Sequence, residues 1–253
     1  MNVAIITGAS SGLGQEFAIQ LKDYFKDMDE IWLFARRKDR MEKLATKLTQ
    51  KTRIFAMDFT DDIQLDQWKD ILEIVKPEIK MLINCSGFGI IGKFTELSLD
   101  EQIRMIDLNC KSLTKMTYYC IPYMVRNSRI IQLASVAAFL PQPNFAIYAA
   151  SKSYVLSFSR ALSEELRKDS IYVTAVCPGP VRTEFFDIAE KYGTTMKIKK
   201  YIMVDANKVV KGALLASKRK KKVYTCSIMM KLMHGMTKII PTSWILFFLR
   251  LMK

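Results

Sequence analysis

Val3-Ala4-Ile5-Ile6-Thr7-Gly8-Ala9-Ser10-Ser11-Gly12-Leu13-Gly14, followed by the run Gln15 to Lys22, is the stretch on which the reading of this chain turns. A β-branched, apolar run passes through three glycines into a segment of helical periodicity, which reads as strand, tight loop and helix in succession. Glycines at such a turn let the chain bend sharply. They also let backbone N–H groups and a helix N-terminus approach a pyrophosphate with no Cβ in the way. The spacing is Gly-x-x-x-Gly-x-Gly and not the commoner Gly-x-Gly-x-x-Gly. An ordinary glycine turn is the bland alternative, and the order strand, loop, helix counts against it.

Working outward, apolar strand-like runs recur at residues 31–35, 52–57, 81–84, 129–134, 172–176 and 223–225, with longer helix-like stretches between them. Strands too apolar to have a wet face, alternating with helices, predict a Rossmann-like, doubly wound parallel sheet of about seven strands with helices on both faces. Ligands in such a sheet sit beyond the carboxyl ends of the strands, so the segments after Thr7, Ala35, Met57, Asn84, Ala134 and Val176 are where chemistry is expected. A chain of 253 residues with 50% hydrophobic content buries a large core. With no linker, low-complexity tract or repeat, residues 1–227 are expected to form one catalytic domain and residues 228–253 a short tail. A first strand starting almost at Met1 leaves no room for a signal peptide.

Five cysteines, Cys85, Cys110, Cys120, Cys177 and Cys226, are widely spaced without a Cys-x-x-Cys pair, and His234 is the one histidine. Neither a disulfide framework nor a metal site is expected, and the thiols read as small buried side chains in a reducing, cytoplasmic setting. The formal charge of +14 favours polyanions in general. Its densest run, Lys218 to Lys222, lies between a helix-like and a strand-like stretch and reads as a solvated loop, and with no aromatic interleaving nucleic acid is not expected as a partner.

At the end of the second expected strand, an NAD-binding chain offers Asp or Glu to the ribose 2′-hydroxyl, whereas this chain offers Arg36 and Arg37. Guanidinium groups bind a phosphate bidentately where a carboxylate would repel it, so the cofactor is read as NADP(H) over NAD(H). Solvating a loop is the alternative for each arginine, and Arg36, nearer the strand, is favoured as the ligand. Further on, Ser135 ends the fifth expected strand and Tyr148-Ala149-Ala150-Ser151-Lys152 opens a helix. Positions i and i+4 of a helix share a face, so the lysine can stand near the phenol and favour its ionised form. A free phenol titrates at roughly 10, too high for easy proton exchange at neutral pH, and a serine hydroxyl can donate to a carbonyl oxygen that gathers charge.

Together with the Gly8 loop and the Pro178-Gly179 pair after the sixth strand, these residues resemble the short-chain dehydrogenase/reductase family from Met1 to about Thr225. The resemblance implies hydride transfer between a nicotinamide cofactor and a ketone or secondary alcohol. It makes Tyr148 the general acid/base, Lys152 the ligand of the nicotinamide ribose that lowers the phenol, Ser135 the orienter of the carbonyl, and Asn109 the last member of a water-mediated proton relay. A helix-interior amide bonded to backbone is the alternative for Asn109. By the same resemblance the cofactor is held by Gly8, Ser10, Ser11, Gly12, Leu13, Gly14, Arg36, Arg37, Asp58, Asn84, Gly87, Tyr148, Lys152, Pro178, Gly179, Val181 and Thr183. Asp58 would contact the adenine, with a turn or cap role nearly as fitting, and Thr183 the carboxamide. The chain reads Asn84-Cys85-Ser86-Gly87 where the family usually shows Asn-Asn-Ala-Gly, so Cys85 is expected to give up an amide that braces the sheet.

Phe139, Leu140, Phe145, Phe185, Phe186, Ile188 and Tyr192 form an expected substrate wall with little charge, which points to a small hydrophobic carbonyl or alcohol, 3-oxoacyl, steroid-like or otherwise lipid-derived. Core packing competes for several of them. The family usually forms a lid from the region 185–204 and is usually a homodimer or homotetramer. Beyond Thr225, Ile228, Met229, Leu232, Met233 and Met236 fall on one helical face with Lys231, His234 and Lys238 opposite, and His234 reads as solvated. The apolar run 244–249 is far short of the ~20 residues a spanning helix needs. The tail is expected to dock on the protein, over the substrate mouth, or on a second copy, with peripheral membrane contact ranked behind these. A non-catalytic NADP(H)-binding regulator is the rival class, and the intact Ser135, Tyr148 and Lys152 weigh against it. An extended sugar-nucleotide epimerase would need a longer C-terminal substrate domain.

Overall fold

The computed structural model describes residues 1–193 and 203–251. Seven strands, β1 (Asn2–Thr7), β2 (Glu30–Ala35), β3 (Lys51–Ala56), β4 (Glu78–Asn84), β5 (Met124–Leu133), β6 (Tyr172–Cys177) and β7 (Val223–Thr225), form one parallel sheet in the order β3-β2-β1-β4-β5-β6-β7. The helices are α1 (Gly12–Tyr24), α2 (Lys38–Ala45), α3 (Asp62–Val75), α4 (Leu99–Ile106), α5 (Leu113–Cys120), α6 (Ala146–Glu165), α7 (Phe185–Ala189), α8 (Ala206–Lys218), α9 (Ile228–Ile239) and α10 (Thr242–Leu251). The doubly wound Rossmann-like architecture is as the sequence predicts.

Alternation along the strands divides the core into two layers. Ala4, Ile6, Ile31, Leu33, Ile131 and Leu133 pack with Phe17 and Leu21 of α1 and Val209, Val210, Ala213 and Leu214 of α8. Val3, Ile5, Trp32, Phe34 and Ile130 pack on the other face with Leu65, Trp68 and Leu72 of α3, Met116 and Cys120 of α5, and Leu162 of α6. Each large apolar side chain buried in this way stabilises the fold by about 1.5–3 kcal/mol. In β4 the alternation breaks: Val3 pairs with Ile79 and Ala4 with Met81, leaving Lys80 as an extra residue. This bulge puts Ile79 and Leu82 on one face and Met81 and Ile83 on the other. Sequence periodicity finds the strand only from 81 because it starts counting after the bulge. Similarly, β5 begins at Met124 and not at 129, since its first residues lie before a register break that includes Asn127 at φ 65°.

The basic run after α8 is exposed, yet two of its lysines are engaged: Lys222 pairs with Glu164, and Lys220 Nζ donates to Tyr172 Oη at 2.8 Å. α9 turns only one side to the protein. Met230 is buried against Gly179 and His234 stacks on Phe139 at 4.1 Å between ring centroids, while Met229, Leu232 and Met236 point outward. His234 is therefore half-buried and not simply solvated. Cys120 and Cys177 are buried thiols, whereas Cys85, Cys110 and Cys226 are half-buried. Among the described residues no helix is long and apolar enough to cross a membrane.

Near the open edge of the sheet, Glu30 is buried and accepts from Trp32 Nε1 at 2.8 Å, with Arg53 Nε at 2.6 Å and Lys51 Nζ at 3.0 Å. Burial pushes its carboxyl up, but the bonds from Trp32, Lys51 and Arg53 outweigh it and the net shift is downward. A carboxylate lowered in the folded state contributes stability above its unfolded pKa of about 4.3 and loses that contribution as pH falls through the folded value. Glu30→Gln is thus expected to cost about 1–3 kcal/mol in urea unfolding at neutral pH, with the difference from the parent shrinking below pH ~4.

Candidate active site

β1 is flanked by β2 on one side and β4 on the other, and the crevice beyond their carboxyl ends is where the chain's direction of travel across the sheet switches. Gly8 and Gly12 adopt φ +68° and +55°, in the left-handed region that favours glycine. A Cβ on Gly8 would stand 2.9 Å from the Cys85 carbonyl carbon and the Ser86 nitrogen, and one on Gly14 only 2.3 Å from the Gly8 oxygen. Thr7 Oγ1 accepts from the N–H groups of both Cys85 and Ser86 at 3.1 Å, tying the two crevice loops together. Leu13 turns back into the core.

The start of α1 lacks anything negative. Ser11 at its N-cap makes no side-chain cap bond, and the first turn has no acid. Ser11 Oγ instead accepts from Arg37 Nη2 at 2.8 Å, and Ser10 Oγ from Arg37 Nε and Nη2 at 3.3 Å. Unsatisfied helix N–H groups, the positive end of the helix dipole and a guanidinium thus converge where the glycines clear space. This donor set fits a pyrophosphate-bearing cofactor.

Arg37 lies on the glycine loop, whereas Arg36 is largely exposed with Nη1 3.9 Å from Asp58 Oδ2. Asp58 Oδ1 accepts from Thr60 N at 2.9 Å and Thr60 Oγ1 at 2.8 Å, which is its turn role. Burial raises its carboxyl, but Thr60, Arg36 and Arg104 together bring it below the usual range. Asn84 turns into the sheet, its Nδ2 donating to Thr117 Oγ1 at 3.1 Å and Gln132 Oε1 at 3.0 Å. The sheet therefore keeps an amide brace despite Cys85, supplied by Asn84 with Gln132. Two residues that the sequence did not single out, Arg40 and Glu184, join this region through ion pairs with each other and with Arg37. Arg40 was within reach of sequence reasoning, three residues past Arg37 on one helix face, but Glu184 is 147 residues from Arg37 and carries no local signal.

Ser135, two residues past the end of β5, opens a 3₁₀ turn (Val136–Phe139), its Oγ accepting from Ala137 N at 3.1 Å. Tyr148 and Lys152 lie on the first turns of α6, both buried. Lys152 Nζ donates to Leu133 O at 2.7 Å and stands 5.7 Å from the centroid of the Tyr148 ring. Asn109 sits in a π-helical turn, Asp107–Ser112, that joins α4 to α5. Its Nδ2 donates to Phe88 O at 2.9 Å and Ser151 Oγ at 3.0 Å, and its Oδ1 accepts from Phe88 N at 3.1 Å. The side chain is thus a backbone-bonded amide. A Cβ on Gly87 would approach Asn109 Oδ1 to 2.8 Å and Lys152 Nζ to 3.3 Å, so glycine at 87 lets these groups meet.

On the far side of the crevice, the loop after β6 is pinned by Pro180 and Arg182 to the backbone of Val204, and Val181 is buried in the core. Pro178 O accepts from Val136 N at 3.0 Å, fixing this loop to the serine turn, and Gly179 lies under Met230. Thr183 faces the glycine loop, with its Cβ 3.3 Å from where a Gly12 side chain would start. Of the expected substrate wall, Phe145 stacks on Tyr148 at 4.3 Å between centroids, Phe185 reaches it at 5.4 Å, and Phe186 packs edge-on against Phe185. Ile188 and Tyr192 are exposed on the α7 side. Within the expected lid region, residues 194–202 lie outside the described residues, as does Lys253 of the tail.

Burial governs the site's acid–base properties. It pushes the Tyr148 phenol up to about 12, the Ser135 hydroxyl acting against it and Cys177 with it. It pushes the Lys152 ammonium down to about 8, with Cys110, Cys85 and Cys177 opposing. Desolvation by apolar neighbours, Phe145, Phe185, Ile90 and Ala137 among them, is the largest influence on the phenol, and the Lys152 ammonium stands close to its ring.

The model of the short chain dehydrogenase family matches residues 2–192, and the chain belongs to that family. An uncharacterized oxidoreductase of Staphylococcus epidermidis is 29% identical over 209 residues, 81% of this chain and 88% of the relative. A short-chain dehydrogenase from Sphingobium yanoikuyae, solved in complex with NADPH, superposes with a TM-score of 0.79 at 26% identity, covering 95% of this chain and 97% of the other. A short chain dehydrogenase/reductase from Burkholderia phymatum, solved in complex with NAD, shares the fold with a TM-score of 0.78 at 22% identity over 94% of each chain. The chain is thus an oxidoreductase of the alcohol–carbonyl type that uses a nicotinamide cofactor, in a fold that accepts either cofactor.

Gly89 faces the ring of Tyr148: a Cβ there would lie 2.7 Å from Tyr148 Cδ2 and 2.8 Å from Phe145 Cζ. Gly89→Ala is expected to move the phenol and lower kcat by about 100-fold, with cofactor affinity in a fluorescence titration within two-fold of the parent.

Proposed function

We propose that this chain is an NADP(H)-dependent reductase of hydrophobic ketones, with Tyr148 as general acid, Ser135 as carbonyl orienter, Lys152 as the positive group beside the phenol and Asn109 as its neighbour in a proton relay. The observation that carries the reading is the convergence of Ser135, just after β5, with Tyr148 and Lys152 of α6: all three are buried, the serine hydroxyl bonds the phenol, and the ammonium lies 5.7 Å from its ring centroid. The cofactor supplies or accepts the hydride at the substrate carbon.

A phenol held near 12 is protonated at neutral pH, so it enters the cycle as a donor to a carbonyl oxygen. Ser135 Oγ, which lies beside the phenol, supports the same oxygen as charge develops. Lys152, titrating near 8, is mostly an ammonium at neutral pH and offsets the charge of the phenolate left behind. Its bond to Leu133 O holds it in place without cancelling its charge. The reverse oxidation needs the phenolate and should gain rate toward alkaline pH. Reduction as the cellular direction rests on cofactor ratios and not on these residues.

NADP(H) is supported by Arg37 on Ser10 and Ser11 and by Arg36 beside it, with no carboxylate following β2 directly. An apolar substrate is supported by Phe145, Phe185 and Phe186, together with the exposed Ile188 and Tyr192.

Arg37→Asp is expected to weaken NADPH by about 10- to 100-fold in a fluorescence titration, to spare or improve NADH, and to exceed the effect of Arg36→Asp. Equal binding of both cofactors by the parent would sink the NADP(H) reading. Tyr148→Phe is expected to lower kcat with NADPH and a hydrophobic ketone by about 100- to 10,000-fold while NADPH affinity is kept. Turnover at the parental rate would leave a cofactor-binding regulator as the better reading.

A further inference from the structure

Arg37 and Arg40, at the start of α2, close on the two oxygens of a single carboxylate. Arg37 Nη1 lies 3.0 Å from Glu184 Oε2, and Arg40 Nη1 donates to Glu184 Oε1. Arg37 holds Ser10 and Ser11 at the same time. Glu184 directly follows Thr183 and caps α7, whose first residue, Phe185, touches Tyr148. The pair therefore bridges the crevice, from the segment after β2 to the segment carrying the substrate wall. Two guanidinium groups around one carboxylate form the same fork that a phosphate monoester accepts. All three side chains are 41–43% exposed, so the anion they share can exchange.

We propose that Glu184 is an internal competitor for the 2′-phosphate of NADP(H) and that Arg40, with Arg37, is a specificity-determining ligand of that phosphate. The inference rests on the NADP(H) reading above. Exposed ion pairs are weak, and a phosphate near two negative charges outcompetes a carboxylate with one for the same two cations. A cofactor with a bare 2′-hydroxyl brings no charge to exchange and leaves the Glu184 fork closed. Discrimination then depends on two terms: the guanidinium pair gained by the phosphate and the carboxylate contact it must replace. Cofactor choice is also linked to α7, since the phosphorylated cofactor releases Glu184 from α2 and the other does not.

The test uses the full chain and four probes, NADPH, NADH, adenosine 2′,5′-bisphosphate and adenosine 5′-monophosphate, each titrated by calorimetry against the parent, Glu184→Gln and Arg40→Ala. Glu184→Gln is expected to tighten both 2′-phosphorylated probes about 3- to 5-fold, with the other two within two-fold of the parent. Arg40→Ala is expected to weaken the 2′-phosphorylated probes about 10-fold, again sparing the others. Unchanged or weaker bisphosphate binding in Glu184→Gln would show that the carboxylate does not compete, and an unchanged ratio in Arg40→Ala would remove Arg40 from the phosphate; either overturns the proposal. These failures are separable from failure of the cofactor reading, which would appear as no preference for NADPH in the parent itself.

Discussion

The backbone of Gly8 lies against that of Cys85 and Ser86, leaving no room for a side chain, and the Thr7 hydroxyl takes both of their N–H groups. The rest of the site depends on this close approach. It holds the loops after β1 and β4 together at the switch point of the sheet and aims α1 at the crevice from one side. Gly87, two residues past Cys85, comes within contact of Asn109 and Lys152 on the other. A methyl group at 8 or 14 would push the glycine loop away from the elements that carry Asn109 and Lys152.

Tyr148 and Lys152 are placed by a different constraint. Tyr148 and Lys152 sit where desolvation opposes the charge of each, so the phenol is held protonated and the ammonium made more acidic. The Leu133 carbonyl, at the last residue of β5, accepts from the ammonium and makes its burial tolerable. Phe145 and Phe185 fix the plane of the phenol ring, which an isolated tyrosine on a helix would not hold. Acid strength and orientation thus come from the same apolar packing.

Much of this was legible in the sequence because it is local. Apolar runs mark all seven strands, the glycine spacing marks the loop, and a tyrosine and lysine four apart mark the face of α6. What was not legible depends on pairing between distant residues. Lys80 becomes a bulge only against β1, and the start of β5 is defined only by its partner strand. Arg37 meets Ser10 and Ser11 because the glycine loop folds back onto it, and Glu184 reaches α2 from the far side of the crevice. Which face of α9 meets the protein is not legible either, because hydrophobicity names the apolar stripe but not which stripe finds a partner: Met230 and His234 meet Gly179 and Phe139, while Met229, Leu232 and Met236 stay exposed.

The strand order also dictates how the chain can assemble during synthesis. β1 is made before the other six strands and becomes an interior strand, yet one of its two edges is covered only when Glu78 to Asn84 have been made. Until then Val3 to Thr7 present an apolar strand with an open row of backbone donors and acceptors, the kind of edge that recruits other chains. The nascent N-terminal third therefore has to be shielded or kept unpaired, and the completed sheet forms late, around a strand that was available from the start.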